Sequence, residues 1–125
     1  MSSHLRHVFL GATVSIALGA AGCATSKLST ATSLVADSQA TVEGSIASID
    51  TAPWSYDGNA VVVLDTAGQG RVAVQLPARW NLCKAAPVDV ASLAVGRRVR
   101  AVGTVGAEGE LVVCERAEHR LAPVD

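Results

Sequence analysis

The chain has 125 residues, a formal charge of −1 and only 3% aromatic residues, although half of it is hydrophobic. Of its ten basic residues only Arg6 precedes Cys23, so the chain beyond that point is nearly neutral and slightly acidic, with no electrostatic footprint for nucleic acid. About a hundred residues follow the first apolar stretch, enough for one small domain, whose only large aromatics are Trp54, Tyr56 and Trp80.

The N-terminus has three parts. His4, Arg6 and His7 make a mildly basic start, residues 8–21 form an apolar run, and Ala20-Ala21-Gly22 supplies the small side chains that a signal peptidase accepts. The run is short for a permanent span, which needs ~20 apolar residues, and no second run of that length follows. A secretory signal is therefore expected over residues 1–22. Ala20-Ala21-Gly22-Cys23 resembles the lipobox of bacterial lipoproteins, departing from it at Ala20, where Leu is more usual. The resemblance implies that the Cys23 sulfur receives a diacylglycerol, that the chain is cut before it, and that the new amine is acylated. Such an anchor holds firmly, since each buried CH₂ contributes about 0.8 kcal/mol. It also implies a cell-envelope location. Ala24 in second place favours the periplasmic face of an outer membrane. The alternative is an ordinary secretory signal cut near Ala21, leaving Cys23 as a free thiol, a liability in an oxidising compartment.

With Cys23 lipidated, Cys83 and Cys114 remain as an even pair, most simply a disulfide outside the cytoplasm. A metal site using Cys83, Cys114 and His119 competes with it, but the spacing matches no paired-cysteine zinc pattern. No metal or other cofactor is expected.

Residues 23–40 are rich in Ser, Thr and Ala and read as a lipid-anchored flexible tether, with a short helix conceivable over 33–38. The folded domain is expected over 41–125. Val42, Gly44 and Ile46 alternate as in a half-buried strand, and Ile49 falls out of phase, which predicts a bulge near Ala47-Ser48. Pro53, Asp57-Gly58 and Asn59 make residues 51–59 a loop. Residues 60–65 are an apolar second strand, 66–70 a hairpin turn, and 71–76 a third strand with Val72, Val74 and Leu76 on one face. Residues 78–95 are irregular; Pro87 and Asp89 predict a short helix through Leu93. A fourth strand is expected over 97–105, a turn over 106–109 and a fifth strand over 110–116. The polar tail beyond 117 has room for one more short pairing.

These elements predict an all-β domain of five strands. Leu93-Ala-Val-Gly-Arg-Arg-Val-Arg-Ala-Val-Gly103 resembles the segment leading into the fourth strand of bacterial OB-fold domains. The bent first strand and the long third-to-fourth connection fit that small barrel, with an SH3-like or other small barrel as the alternative. OB domains usually bind ligands across their second and third strands, between two flanking loops. The resemblance therefore points to Trp54, Tyr56 and Asp57 in the first loop, Arg71, Ala73 and Gln75 on the third strand, and the turn 106–109. A Trp–Tyr pair beside an arginine can stack on a sugar ring or a peptide side chain. The competing expectation, which we favour, is that Trp54 folds over the barrel mouth while Tyr56 braces the loop.

Trp80 is expected to cover the barrel end and shield the disulfide. Arg97, Arg98 and Arg100 are expected on a solvated edge, paired with Glu115 or Glu118, and His119 on the surface of the tail. No nucleophile has a catalytic motif around it, so the reading is a non-enzymatic, lipid-anchored binding or structural module. Its partner is the membrane through the anchor, together with an envelope protein, a peptide or a glycan. The alternatives are an oligosaccharide- or nucleic-acid-binding OB domain, and a metal-handling or enzymatic protein using His119 with Cys83 and Cys114.

Overall fold

A computed structural model describes residues 33–124; the expected signal segment, the lipobox-like stretch ending at Cys23 and most of the expected tether lie outside the described residues. Six strands follow one another: β1 (Gln39–Asp50), β2 (Ala60–Thr66), β3 (Arg71–Leu76), β4 (Arg98–Val105), β5 (Leu111–Val112) and β6 (Arg120–Pro123). The first five close into a barrel in the order β1-β2-β3-β5-β4 and back to β1, with β3 and β5 parallel and every other pair antiparallel. This is the expected all-β, OB-fold-like barrel.

β1 makes closure possible. Its first half pairs with β4, from Gln39 opposite Thr104 to Ser45 opposite Arg98, and its second half with β2, from Gly44 opposite Thr66 to Asp50 opposite Val61. Gly44 belongs to both ladders. A side chain there would collide with the Asp65 carbonyl oxygen, so only glycine lets the strand coil this closely past β2. The expected bulge is present as a register shift between Ile46 and Ser48; it puts Ile49 back against the core. The strand starts earlier than the expected 41. Val105 fixes that start: its carbonyl accepts from the Asp37 N–H and its N–H donates to the Ser38 carbonyl, both at 2.8 Å. Residues 33–38 form no helix; the chain is irregular to Val35 and turns at 36–37.

The core follows strand alternation. Val62 and Leu64 of β2, Val74 and Leu76 of β3, and Val99 and Ala101 of β4 have no solvent contact; burying a Val or Leu contributes about 1.5–3 kcal/mol. Val61 and Val63, in the same apolar run, face outward and are only half-buried. The run is thus covered fully on one face alone.

Two elements are shorter than predicted. The helix expected from Asp89 is a single 3₁₀ turn, Val90–Ser92, in which the Ser92 hydroxyl donates to the Asp89 carbonyl and Leu93 is the buried anchor. So short a segment cannot repay α-helix nucleation. β5 ends at Val112 instead of 116, because Cys114 leaves the ladder. Its carbonyl accepts from the N–H groups of Lys84 and Ala85, each at 3.0 Å, and its sulfur is bonded to Cys83. β6 then takes over the edge of β4 that β5 vacates, pairing Arg120 with Val102 through Pro123 with Val99.

The disulfide joins residues 31 apart in sequence, with Cα atoms 4.6 Å from each other. The chain-entropy model assigns such a loop roughly 3–4 kcal/mol. Replacing Cys83 and Cys114 by Ala should therefore lower the urea midpoint substantially and steepen the slope, because the unfolded chain is no longer cross-linked; an unchanged midpoint would show that the bridge adds nothing to the hydrogen bonds beside it.

Candidate functional site

The outer face of β2 and β3 pairs Val61 with Gln75, Val63 with Ala73 and Asp65 with Arg71. Both expected polar ligand residues on it are engaged with neighbours. Arg71 Nε donates to Asp65 Oδ1 at 3.0 Å, and Gln75 Oε1 accepts from Asn59 Nδ2 at 2.9 Å. The Arg71–Asp65 pair is well exposed, so solvent leaves it little net strength. Between these pairs lies a shallow strip of Val61, Val63 and Ala73, without an aromatic.

The first loop divides its two aromatics. Residues Ala52–Tyr56 form a 3₁₀ turn closed by Asp57 in the left-handed conformation (φ 59°). Trp54 turns inward, packs on the core, and donates its indole N–H to the Leu76 carbonyl at 3.0 Å. It caps the barrel mouth, the reading favoured from the sequence. Tyr56 does not brace the loop: it is 89% exposed. Asp57 is held by Arg79, whose Nη2 lies 2.6 Å from Oδ2. Trp54 sits against the last residue of β3, while Arg71 is the first. Five strand steps separate them by roughly 17 Å. The expected Trp–Tyr–Arg stacking site is therefore not assembled. The turn 106–109 lies at the Arg71 end, where Glu108 and Gly109 border a small cavity with Gln69, Arg71 and Leu34.

Trp80 is half-buried against the core, and its carbonyl accepts from the Cys83 N–H at 2.9 Å. Arg98 and Arg100 share an outward face as predicted, but their partner is Glu43 of the adjacent β1, not Glu115 or Glu118. Arg100 Nε donates to Glu43 Oε1 at 2.6 Å, and Arg98 Nη2 lies 3.7 Å from Oε2. Glu115 instead accepts from the Thr104 hydroxyl.

His119 departs furthest from expectation. It is not on the surface of the tail but 2% exposed, the one buried polar or charged side chain among the described residues. Its backbone N–H donates to the Arg116 carbonyl, and its Nδ1 accepts from the N–H groups of Cys114 (3.3 Å) and Arg116 (3.4 Å). Two donors aimed at Nδ1 leave the ring proton on Nε2, and Nε2 is buried without a partner among the described residues. Desolvation lowers the ring's pKa from the ordinary 6.5; Glu118 and Glu115 oppose that shift, and Arg116 adds to it. The sequence did carry a signal: His119 and Leu121 are two apart, so a strand places both on one face.

The cysteines and His119 do not form a ligand set. Both sulfurs are spent in the disulfide, and Nδ1 is occupied by backbone donors. Among the described residues no cluster of three or more His, Cys, Asp or Glu is arranged to hold a metal ion, and no helix is long and apolar enough to cross a membrane.

Two measurements test these placements. Trp54→Ala should cost about 2 kcal/mol in chemical denaturation, because it removes a capping ring and a hydrogen bond, while Tyr56→Ala should stay within about 0.5 kcal/mol; equal effects would refute the division of roles. Because the folded ring binds its proton more weakly than the unfolded one, stability is full above pH 6.5 and declines as pH falls from there through the lowered folded pKa. Melting temperatures followed from neutral to mildly acid pH should show that decline, and His119→Asn should flatten it.

No family model matches the chain, and no curated protein matches it either.

Proposed function

We propose that the chain is a lipid-anchored envelope protein whose OB-fold-like barrel serves as a non-enzymatic binding or structural module. The observation that carries this reading is the union of Cys83 with Cys114. It is the chemistry of an oxidising compartment, and it leaves Cys23 as the odd cysteine directly after Ala20-Ala21-Gly22. Processing there attaches lipid to Cys23 and releases residues 1–22, which sets the barrel on the periplasmic face of the outer membrane. Its partner is another envelope protein, a peptide or a glycan.

Catalysis finds little support. The lone pair that a histidine base would use is on Nδ1, and it already accepts two backbone hydrogen bonds. A metal-handling role lacks thiolates for the same reason that the disulfide exists. Single-stranded nucleic-acid OB domains use a cationic groove with stacking aromatics. Here the strand face is aliphatic, Trp54 is turned inward, and the two arginines of β4 share Glu43 on a different face. The same inward Trp54 weakens the oligosaccharide reading for that face.

Replacing Cys23 by Ser tests the anchor. The variant should lose its acyl mass and move from the membrane fraction to the soluble fraction; continued membrane association at the wild-type level would refute it.

A further inference from the structure

Beside β6 lies a cavity of about 290 Å³, bordered by Ala86, Val88 and Asp89 on one side and by Glu118, His119 and Leu121 on the other. Two of the residues that border it carry donors without a protein partner among the described residues. One is His119 Nε2–H, without a partner among the described residues. The other is the Leu121 backbone N–H. The Val124 N–H donates to the Arg98 carbonyl at 3.0 Å, which fixes the parity of the β4–β6 ladder. Arg120 and Ala122 turn their backbone polar groups toward β4, and Leu121 turns its N–H and carbonyl away from it. Leu121 is 4% exposed. Buried polar groups are almost always paired, so two orphan donors on residues beside one cavity call for a partner.

We propose that this groove is a binding site for a short, extended, basic peptide segment of a partner protein, which pairs with the outer edge of β6 and places a backbone carbonyl on His119 Nε2–H. The chemistry selects this occupant. A neutral imidazole N–H suits a carbonyl and does not demand an anion. Asp89, Glu118 and Arg120 all border the cavity, and none of them is in an ion pair among the described residues. Two acids against one base disfavour a carboxylate or phosphate and complement a cationic side chain. Leu121 offers both groups that one residue of an antiparallel strand exchanges, which is how extended peptides add to sheet edges. Pro123 has no N–H to give, so the edge accepts only a short segment. The site deepens the binding-module reading and rests on it, and it is separate from the strand face where OB-like domains usually bind.

The test is a titration of the ¹⁵N-labelled full chain in detergent micelles with the blocked tripeptide Ac-Val-Lys-Val-NH₂. Saturable shifts should appear at the Leu121 amide and the His119 Nε2–H, with slower hydrogen exchange at Leu121. Binding should weaken about tenfold, the upper range for one neutral hydrogen bond, in His119→Asn, which keeps an acceptor for the Cys114 and Arg116 N–H groups but is too short to place its amide N–H where Nε2–H lies. A peptide N-methylated at its central residue, a Lys-to-Glu peptide, and the wild-type peptide on Glu118→Lys should each bind more weakly. No shift at Leu121 up to the solubility limit of the peptide, with waters alone in the cavity, would overturn the proposal. So would equal binding by the N-methylated peptide, a result that does not depend on any variant folding. Either failure would leave the anchor question, decided at Cys23, untouched.

Discussion

The barrel closes through a very short seam. β5 contributes two residues, each pairing once with β3, and two pairs join it to β4. Such a ladder holds little by itself, and an isolated pairing of that length would be marginal in water. What secures it is the residue that leaves it. Cys114 is covalently tied to the third-to-fourth connection, accepts two backbone hydrogen bonds from that connection, and donates its own N–H to His119. Val113 keeps the strand attached to β3 through the Gln75 carbonyl at 3.1 Å. The irregular segment 78–95, the last strands and the buried histidine all meet at this point.

This arrangement explains why the parts with the most evident binding chemistry are not where the unsatisfied polar groups lie. The strand face pointed to by the fold resemblance is aliphatic between two self-satisfied polar pairs. Its aromatic neighbour Trp54 is used as a lid, as a small domain with few large side chains requires. Unsatisfied polar groups occur instead where the fold is irregular, around the excursion between β5 and β6. Inner strands pair their donors on both sides; an excursion or an edge strand such as β6 leaves some facing outward.

Much of the fold was legible because alternation is a local signal. Val72, Val74 and Leu76, and Val99 and Ala101, lie inward as their spacing requires, and the phase slip at Ile49 located the bulge. The place of Gly44 in two ladders was not legible, because it depends on β4, which is distant in sequence. What could not be read was the fate of residues whose partners come from elsewhere in the chain. The run at 110–116 looks like one long strand because nothing local reveals that Cys114 must reach back to Cys83. Arg98 and Arg100 find Glu43 because β1 lies beside β4, a matter of topology. His119 looked like a tail residue because its surroundings in sequence are polar; it is instead held by hydrogen bonds to Cys114 and Arg116 in the excursion after β5.

The position of β4 between β1 and β6 has a mechanical consequence. The chain preceding Gln39 departs beside Thr104, at one end of β4, while β6 runs along the opposite edge toward Val99, nearer the other end. A pull applied upstream of β1 and resisted at β6 therefore acts along the strand axes. It loads the seven β1–β4 pairs and the four β4–β6 pairs in shear, so that they share the force instead of parting one after another. In this geometry a domain held by one end and gripped at its flank resists being unzipped.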